Sequence, residues 1–233
     1  MIVFDGVSLN SVAPVKVDDI RVSPVRLSPV VRPRAIQGGS DWVRMGVGER
    51  TVAITFAVLD DNKITRHEAL MNISQWAKTD KEYRLELPEE PHRYLECVCT
   101  AKPEPSVRQW WESKLRLVFT CYSNPFWTSK AEKSVACGSQ GFALGDAPPL
   151  MRIERTVSGS AASNQSYGDG TYTMTFSTIP VGDMVIDLNK QTAAVGNTSI
   201  MQYYQPSGHF LTAQNGVFTI SGTGTVKYRE RWM

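Results

Sequence analysis

An alternation of apolar and polar residues with a period of two dominates the first half of the chain. Between Thr51 and Val58 every second residue is Val, Ile or Phe, and the residues between them are Thr or Ala. Alternating patterns also run over Arg93–Ala101 and Lys114–Cys121. A period of two is typical of a strand with one buried face, so these three segments are predicted to be strands.

One segment in the first half follows the helical period instead. Thr65 and Glu68 have the spacing of a capping box, and apolar residues at helical spacing follow over Leu70–Ala77. Lys78 then places a cation near the negative end of the helix dipole. We predict an amphipathic helix over about 65–78, laid on the sheet formed by the strands around it.

The second part of the chain carries shorter alternating segments, with Gly, Asn and Asp between them. Met174 and Phe176 alternate with threonines after an Asp169-Gly170 turn, and similar patterns run over 184–188 and 218–220. Short strands at such spacing, with no helical segment among them, are typical of an antiparallel sandwich. The sequence therefore predicts a mainly β protein, with an N-terminal β-domain that carries one amphipathic helix and a C-terminal antiparallel β-sandwich.

Charge and glycine content also divide the chain of 233 residues. Residues 1–128 hold 17 Lys and Arg and 16 Asp and Glu, whereas residues 129–233 hold 8 and 7 but contain 12 of the 17 glycines. Such a shift in surface chemistry indicates a domain boundary. We predict a first domain over 1–128, a linker over 129–137 and a second domain over 138–233.

Composition excludes several classes of protein. The net charge of +2 is far from the basic balance of a nucleic-acid binder, and no apolar run approaches a membrane span of roughly 18 residues. The opening Met1–Gly6 lacks the basic and apolar regions of a secretory signal. The cysteines lack the paired spacing of a zinc site, so we expect reduced and mostly buried thiols at Cys97, Cys99, Cys121 and Cys137.

No common catalytic motif occurs in the sequence. G-x-S-x-G, G-x-x-x-x-G-K-[ST], G-x-G-x-x-G and H-E-x-x-H are all missing. The histidines His67, His92 and His209 are far apart, and none has a second His or a Cys at ligand spacing. The acid pairs Asp60-Asp61 and Glu89-Glu90 border predicted turns, where adjacent carboxylates are usually solvated. We expect no enzyme, no catalytic residue, no metal ligand and no cofactor.

The most unusual segment is Arg21–Arg34, in which Val-Ser-Pro-Val-Arg is followed by Leu-Ser-Pro-Val-Val-Arg. Its three prolines remove backbone donors, which restricts the segment to a sheet edge, an arm or an extended connection. It is either an exposed edge protected against aggregation, or an arm that crosses a subunit boundary and pairs its arginines with acids of a neighbour. Nucleic-acid binding ranks behind both, because acidic residues flank the segment. The candidate subunit-interface residues are Arg21, Arg26, Arg32 and Arg34.

Aromatic side chains suggest a second class of function, because their faces can stack on sugar rings. Five of the six tryptophans precede residue 128, so a glycan contact in the second domain would need Tyr167, Tyr172, Tyr203 or Tyr204. Adjacent residues on a strand face opposite sides, so one of Tyr203 and Tyr204 is expected to face outward. These two tyrosines are the candidate glycan-contact residues.

A series of short motifs also runs along the chain in a definite order. They are Phe4–Gly6, Gly38–Trp42 followed by Gly48–Phe56, Leu85–Pro88 with Pro91–Tyr94, Lys114–Cys121 ending in Asn124–Trp127, Val185–Asp187 with Gly196, and Arg229–Trp232. In this order the motifs resemble those of the distal tail proteins, abbreviated Dit, of siphovirus-type bacteriophages. The resemblance covers nearly the whole chain and is more specific in residues 1–128.

The resemblance implies both a fold and a function. Members of this family have an N-terminal β-domain with one helix, which forms a six-membered ring that continues the tail tube, and a galectin-like C-terminal sandwich outside the ring. The implied function is structural: a hexameric ring in the virion that joins the tail tube protein to the tail hub protein and to receptor-binding or baseplate proteins. DNA would pass through the lumen without specific binding, no membrane would be contacted, and the chain would be made in the cytoplasm of the host bacterium. The alternative is a carbohydrate-binding module that contacts host-surface glycans through the C-terminal sandwich.

Overall fold

The computed structural model describes residues 1–33, 40–59, 63–102, 114–205 and 210–233. They divide into two compact units, Met1–Trp127 together with Met233, and Thr128–Trp232.

The first unit is an antiparallel sheet with two helices. Its elements are β1 (Val3–Phe4), β2 (Val7–Ser8), α1 (Leu9–Val12), β3 (Val15–Val22), β4 (Leu27–Pro33), β5 (Ser40–Val47), β6 (Arg50–Val58), α2 (Lys63–Trp76), β7 (Tyr83–Glu86), β8 (Arg93–Ala101) and β9 (Leu115–Cys121). The strands pair in the order β3–β6–β9–β8–β7–β1–β2, and every pair is antiparallel. Strands β4 and β5 form a separate antiparallel pair.

The strands predicted from the alternating pattern are confirmed. In β6 the side chains of Val52, Ile54, Phe56 and Val58 are buried, and the residues between them are half-buried. The same alternation holds for Leu115, Leu117 and Phe119 on β9 and for Leu95, Cys97 and Cys99 on β8. Pairing aligns these rows on one face, which buries a continuous apolar surface.

Helix α2 covers this apolar surface. Leu70, Ile73 and Ala77 are buried as the helical period predicted. Trp76 packs with its ring centroid 5.5 Å from that of Phe4 and 6.1 Å from that of Phe119, and its indole Nε1 donates to the carbonyl oxygen of Val7 at 3.0 Å. Because the indole N–H is paired, a large aromatic ring can lie in the core without leaving a buried polar group unsatisfied.

The ends of α2 differ from the predicted 65–78. The helix begins at Lys63, so Thr65 lies inside its first turn rather than at the cap position. It ends at Trp76, and the ammonium of Lys78 instead lies 2.7 Å from the carboxylate of Asp5. Lys63 and Ile64 both have helix propensities that allow the helix to extend before Thr65. The capping box of Thr65 and Glu68 therefore does not determine where the helix begins.

The second unit is a sandwich of two antiparallel sheets. After β10 (Trp127–Ser129) its strands are β11 (Lys133–Ala136), β12 (Gln140–Ala143), β13 (Ala147–Val157), β14 (Ala162–Gly168), β15 (Thr173–Ile179), β16 (Gly182–Asp187), β17 (Thr192–Val195), β18 (Thr198–Ser199), β19 (Tyr204–Gln205), β20 (Gly216–Thr219) and β21 (Thr225–Trp232). One sheet has the order β11–β21–β13–β16–β17–β18. The other combines β12–β20 with β14–β15–β19, joined by a bridge between Gly168 and Ser221.

Apolar residues from both sheets form the core of the sandwich. Ile153, Ile186 and Val226 come from the first sheet, and Met174 and Phe176 come from the second. The ring centroids of Phe218 and Tyr228, from opposite sheets, lie 5.1 Å apart. The mainly β fold class predicted from the sequence is therefore confirmed.

The segment predicted as a linker, 129–137, is ordered into the sandwich. It contains β11, which pairs with β21 from Lys133–Tyr228 to Ala136–Thr225. Strand β11 has no alternating apolar pattern, because its side chains are half-buried or exposed. Its strand conformation is instead stabilised by backbone hydrogen bonds to β21.

Candidate interaction surfaces

Residues 21–33 form one side of a long two-stranded ribbon. The register that pairs Val22 with Val52 in β3 and β6 continues without a shift into the pair Leu27–Val47 of β4 and β5. Between them, the N–H of Ser23 donates to Thr51 and the N–H of Gly48 donates to the carbonyl of Arg26 at 2.7 Å. The proline-rich segment is thus a hairpin arm that extends from the sheet of the first unit, rather than a loose connection.

The structure describes the four candidate interface arginines in different detail. The Arg21 side chain is 83% exposed, and its Nε donates to the carboxylate of Asp19 at 2.6 Å. Arg26 is exposed at the base of the arm, where its backbone pairs with Glu49 and Gly48. Arg32 lies on β4 opposite Asp41 in the register, and Arg34 lies outside the described residues. Their role as interface residues stays a prediction.

A second charged surface of the first unit surrounds Tyr83. The ammonium groups of Lys78 and Lys81 lie 4.9 and 5.0 Å from the centroid of its ring, and its hydroxyl donates to the carboxylate of Asp80 at 2.9 Å. The hydrogen bond to Asp5 raises the pKa of Lys78. An open concavity of about 570 Å³ adjoins this surface, and its lining carries both acidic and basic residues. Alternating charge at close range suits a protein partner of complementary pattern.

The outer face of the first sheet of the sandwich carries an ion network. The guanidinium of Arg152 binds both carboxylate oxygens of Glu132, at 2.9 and 3.0 Å, and its Nε lies 2.6 Å from Glu154. Lys227 lies 2.7 Å from Glu154, and Arg229 lies 3.4 Å from Glu132. Because Glu132 belongs to the predicted linker, the bidentate pair fixes this segment on the sandwich.

The network makes stability depend on pH in a definite direction. The hydrogen bond from Lys227, together with that from Arg152, holds the pKa of Glu154 below its ordinary value. The stabilisation is therefore present above the unfolded glutamate pKa of about 4.3 and is lost as the pH falls through the lower folded value. We expect Glu154→Gln to cost about 1 kcal/mol at pH 7 and a smaller amount at pH 3, as measured by urea unfolding at both pH values. Parallel losses of stability in both proteins between these pH values would contradict this origin.

The two candidate glycan-contact tyrosines are both half-buried. Tyr203 ends a 3₁₀ helix, Met201–Tyr203, and its carbonyl accepts a hydrogen bond from Ser177. Tyr204 opens β19, and its ring centroid lies 5.8 Å from Phe176 and 5.6 Å from Phe210. The expectation that one of the two faces outward assumed that both lie on the same strand. Only Tyr204 lies on a strand, so this expectation does not apply. A glycan contact by either residue stays a prediction.

Truncation of Tyr204 is expected to reduce stability. The ring bridges Phe176 in the core and Phe210 nearer the surface, so Tyr204→Ala removes two aromatic contacts. We expect a loss of about 2 kcal/mol in the free energy of unfolding, measured with urea. Tyr204→Phe keeps the ring and serves as the control, with a loss below about 0.5 kcal/mol. An equal loss in both variants would show that the hydroxyl, and not the ring packing, carries the effect.

Residues considered for catalysis do not assemble into a site in the described part of the chain. His67 and His92 are exposed, and Glu90 lies 3.3 Å from Arg93 in an ion pair. His209 and the pair Asp60-Asp61 lie outside the described residues. Among the residues that the structure describes, no group of three His, Cys, Asp or Glu could hold a metal ion, and no helix is long and apolar enough to span a membrane.

The thiols are buried as predicted. Cys97, Cys99 and Cys121 are fully buried and Cys137 is half-buried. Burial raises the pKa of Cys97, as does the hydrogen bond that its thiol donates to Cys121, and burial also raises the pKa values of Cys99 and Cys137. The thiolate is the reactive form of cysteine, so these side chains serve as packing groups.

One feature of the second unit escaped the sequence reasoning. An open concavity of about 400 Å³ is lined by Tyr172, Gln191, Phe210 and Thr212, which come from three separate connections between strands. Tyr172 was recognisable as a possible sugar-stacking residue, but its partners are 19 to 40 positions away in the sequence. No local pattern brings such residues together.

Comparison with known proteins identifies the fold. No protein-family model matches the chain, and no curated protein matches it in sequence. The crystal structure of the Dit protein of phage SPP1 matches with a TM-score of 0.76 at 14% identity and covers 100% of this chain and 98% of its own.

Structures of the phage P2 baseplate in its activated conformation are more distant. They match with a TM-score of 0.50 at 8% and 9% identity and cover 96% and 95% of this chain and 92% and 91% of their own. The SPP1 protein is described as a paradigm of the hub adsorption apparatus in phages that infect Gram-positive bacteria. The structural match extends over both units, as the order of the sequence motifs predicted. This chain therefore has the fold of a phage distal tail protein.

Proposed function

We propose that this protein is a structural component of a phage tail tip, in which six copies form a ring between the tail tube and the tail hub. The observation that carries the proposal is the similarity to the SPP1 Dit protein along essentially the entire length of both chains. Similarity over one domain alone would support only a domain that the two proteins have in common. Similarity over two successive units supports a common place in an assembly as well.

The first unit has the surface features that a ring subunit needs. Head-to-tail contacts that close into a ring require two different and complementary faces on each subunit. The hairpin arm of β4 and β5, with Arg21 and Arg26 exposed at its base, supplies one such face. The mixed charges around Tyr83 supply a candidate for another. We infer that the arm reaches an adjacent subunit and pairs its arginines with acids there.

The second unit fits a peripheral position in the assembly. It is an independently cored sandwich with low charge outside the ion network. We propose that it is a galectin-like domain that decorates the outside of the ring and supports receptor-binding or baseplate proteins during host attachment. The tail tube and tail hub proteins are the other proposed partners, and the place of action is the virion.

The proposed function requires no catalysis. The structural neighbours are components of phage hub and baseplate assemblies, and assembly proteins act through the positions of their surfaces. We propose that DNA passes through the lumen without specific binding, because tight binding of phosphates would stall its ejection.

The ring is tested by measuring the mass of the purified full chain over a range of concentrations. Light scattering is expected to give six times the chain mass of 25.9 kDa, and negative-stain images of the same fraction are expected to show rings with a central hole. A chain that remains at 25.9 kDa up to about 1 mM would contradict a self-assembling ring, since its subunit affinity would then be weaker than about −4 kcal/mol. Closed assemblies of another symmetry would contradict the number six but retain the ring.

A further inference from the structure

The 400 Å³ concavity lined by Tyr172, Gln191, Phe210 and Thr212 has a neighbour on the same unit. A second concavity of about 200 Å³ also includes Thr212 in its lining, together with Asp169 and Gln214. Thr212 belongs to both linings, so the two concavities are neighbours on the surface of this unit. The larger volume alone is within the range of small-molecule sites.

The exposed aromatic ring of this surface is carried by a fixed turn. Tyr172 is 41% exposed and lies between β14 and β15. One carboxylate oxygen of Asp169 accepts the N–H groups of Thr171 and Tyr172, both at 2.8 Å, and the N–H of Asp169 donates to the carbonyl of Tyr172 at 3.1 Å. Gly170 supplies the positive φ of 91° that the turn requires. The backbone under the tyrosine is thus held before any ligand arrives, which reduces the entropy cost of binding.

The other aromatic group and one polar group are also held in place. Phe210 packs edge-on against Tyr204, whose ring in turn packs against the buried ring of Phe176. The amide of Gln214 donates to the second carboxylate oxygen of Asp169 at 3.1 Å. This single carboxylate therefore organises the tyrosine turn and the polar edge of the neighbouring concavity together.

The lining selects the chemical class of the ligand. In the described residues of both concavities the only charged side chain is Asp169, and the polar groups are the amides of Gln191 and Gln214, the hydroxyls of the threonines and the phenol hydroxyl of Tyr172. Amides and hydroxyls both donate and accept hydrogen bonds, as the hydroxyl groups of a sugar do. The faces of aromatic rings carry negative potential and attract the weakly positive C–H groups of an apolar sugar face. Among the described lining residues, phosphate or a polyanion would meet the carboxylate of Asp169 and no cationic side chain.

We propose that this surface, which we call the Tyr172 site, binds a neutral oligosaccharide, with Tyr172 as the stacking platform and Gln191, Thr212 and Gln214 as hydrogen-bonding groups. The site differs from the Tyr203–Tyr204 pair singled out from the sequence, because Tyr204 supports the site from behind through Phe210. The proposal does not depend on the ring, since all of these residues belong to one unit of one chain.

The test uses the full chain on an array of neutral oligosaccharides built from glucose, galactose, rhamnose and N-acetylglucosamine, followed by titration of each hit. We expect at least one hit with a Kd below about 1 mM, and about tenfold weaker binding by Tyr172→Ala. Gln191→Ala is expected to weaken the same hit severalfold. Tyr122→Ala is the matched control, because Tyr122 is 57% exposed but lies in the first unit.

Several results would overturn the proposal. These are no binding of any neutral oligosaccharide at about 1 mM, binding of acidic glycans alone, or an equal loss of binding in the Tyr122 control. A loss confined to Tyr203→Ala would place the site elsewhere on the sandwich. Thermal unfolding of each variant checks for a folding defect. Tyr172 and Gln191 are both exposed, so their substitution is expected to leave the melting temperature unchanged.

Discussion

Arg26→Glu is expected to weaken ring assembly at least tenfold, and the double variant with Arg32→Glu is expected to abolish it. Arg26 is exposed at the base of the hairpin arm, and Arg32 lies further along β4. If the arm pairs with acids of the adjacent subunit, each reversal replaces an attraction with a like-charge contact that costs several kcal/mol. The ring has one such contact at every subunit boundary, so the effects accumulate. Light scattering over a dilution series measures the loss.

The control for these variants is Lys190→Glu. Lys190 is 79% exposed on the β16–β17 connection of the second unit, which we propose to lie outside the ring contacts. Lys190→Glu should leave the assembly unchanged. Arg26→Glu and Lys190→Glu should keep the melting temperature of the wild type within a few degrees, because substitutions of exposed residues seldom change stability by more than about 0.5 kcal/mol. Undiminished assembly of the double variant would show that the arm is a protected edge and not a subunit contact.

The largest expected loss of stability comes from Gly145→Ala. Gly145 has a φ of 121°, and a Cβ there would lie 2.1 Å from the carbonyl oxygen of Arg231. The backbone of β21 cannot give way easily, because Arg231 is paired with Ala147 of β13 and the strand also pairs with β11 over Thr225–Tyr228. We expect a loss of about 3 kcal/mol or more, equivalent to roughly 15 °C for a unit of this size, measured by calorimetry.

Gly138→Ala separates the two causes of this loss. Gly138 also has a positive φ, of 85°, but a Cβ there would meet no atom within 4 Å. We expect Gly138→Ala to lower the free energy of unfolding by about 1 kcal/mol, which is the cost of the left-handed backbone conformation alone. Equal losses at Gly138 and Gly145 would show that backbone conformation dominates and that the close approach to Arg231 relaxes without cost.

The strands that have one buried face were predictable from the sequence. The alternation over Thr51–Val58 appears as buried and half-buried side chains in β6. Strand β11 escaped because its side chains do not alternate between core and solvent, and its order depends on pairing with β21 and on the pair between Glu132 and Arg152. Long-range backbone pairing leaves no period in the sequence.

Functional surfaces were predictable only in part, for a related reason. The prolines of the Arg21–Arg34 segment predict a sheet edge, an arm or an extended connection. Among the described strands, β4 pairs only with β5 in a separate two-stranded sheet, so it is an edge strand, which tolerates proline. The Tyr172 site brings together residues from three connections, and its organising contacts run from Asp169 to Gln214 across 45 positions. Such a cluster exists only after the sandwich has formed. The local motif order, by contrast, was enough to predict the distal tail protein fold.

The proposed place of this protein at the tail tip is tested by locating the protein in the virion. Electron microscopy of intact virions labelled with gold-conjugated antibody against this chain gives the position. We expect label at the distal end of the tail, where the tube meets the hub, and release of that label with the tail tip when virions are disrupted. Label on the capsid or along the whole tail tube, or virions that contain no copies of the chain, would contradict it.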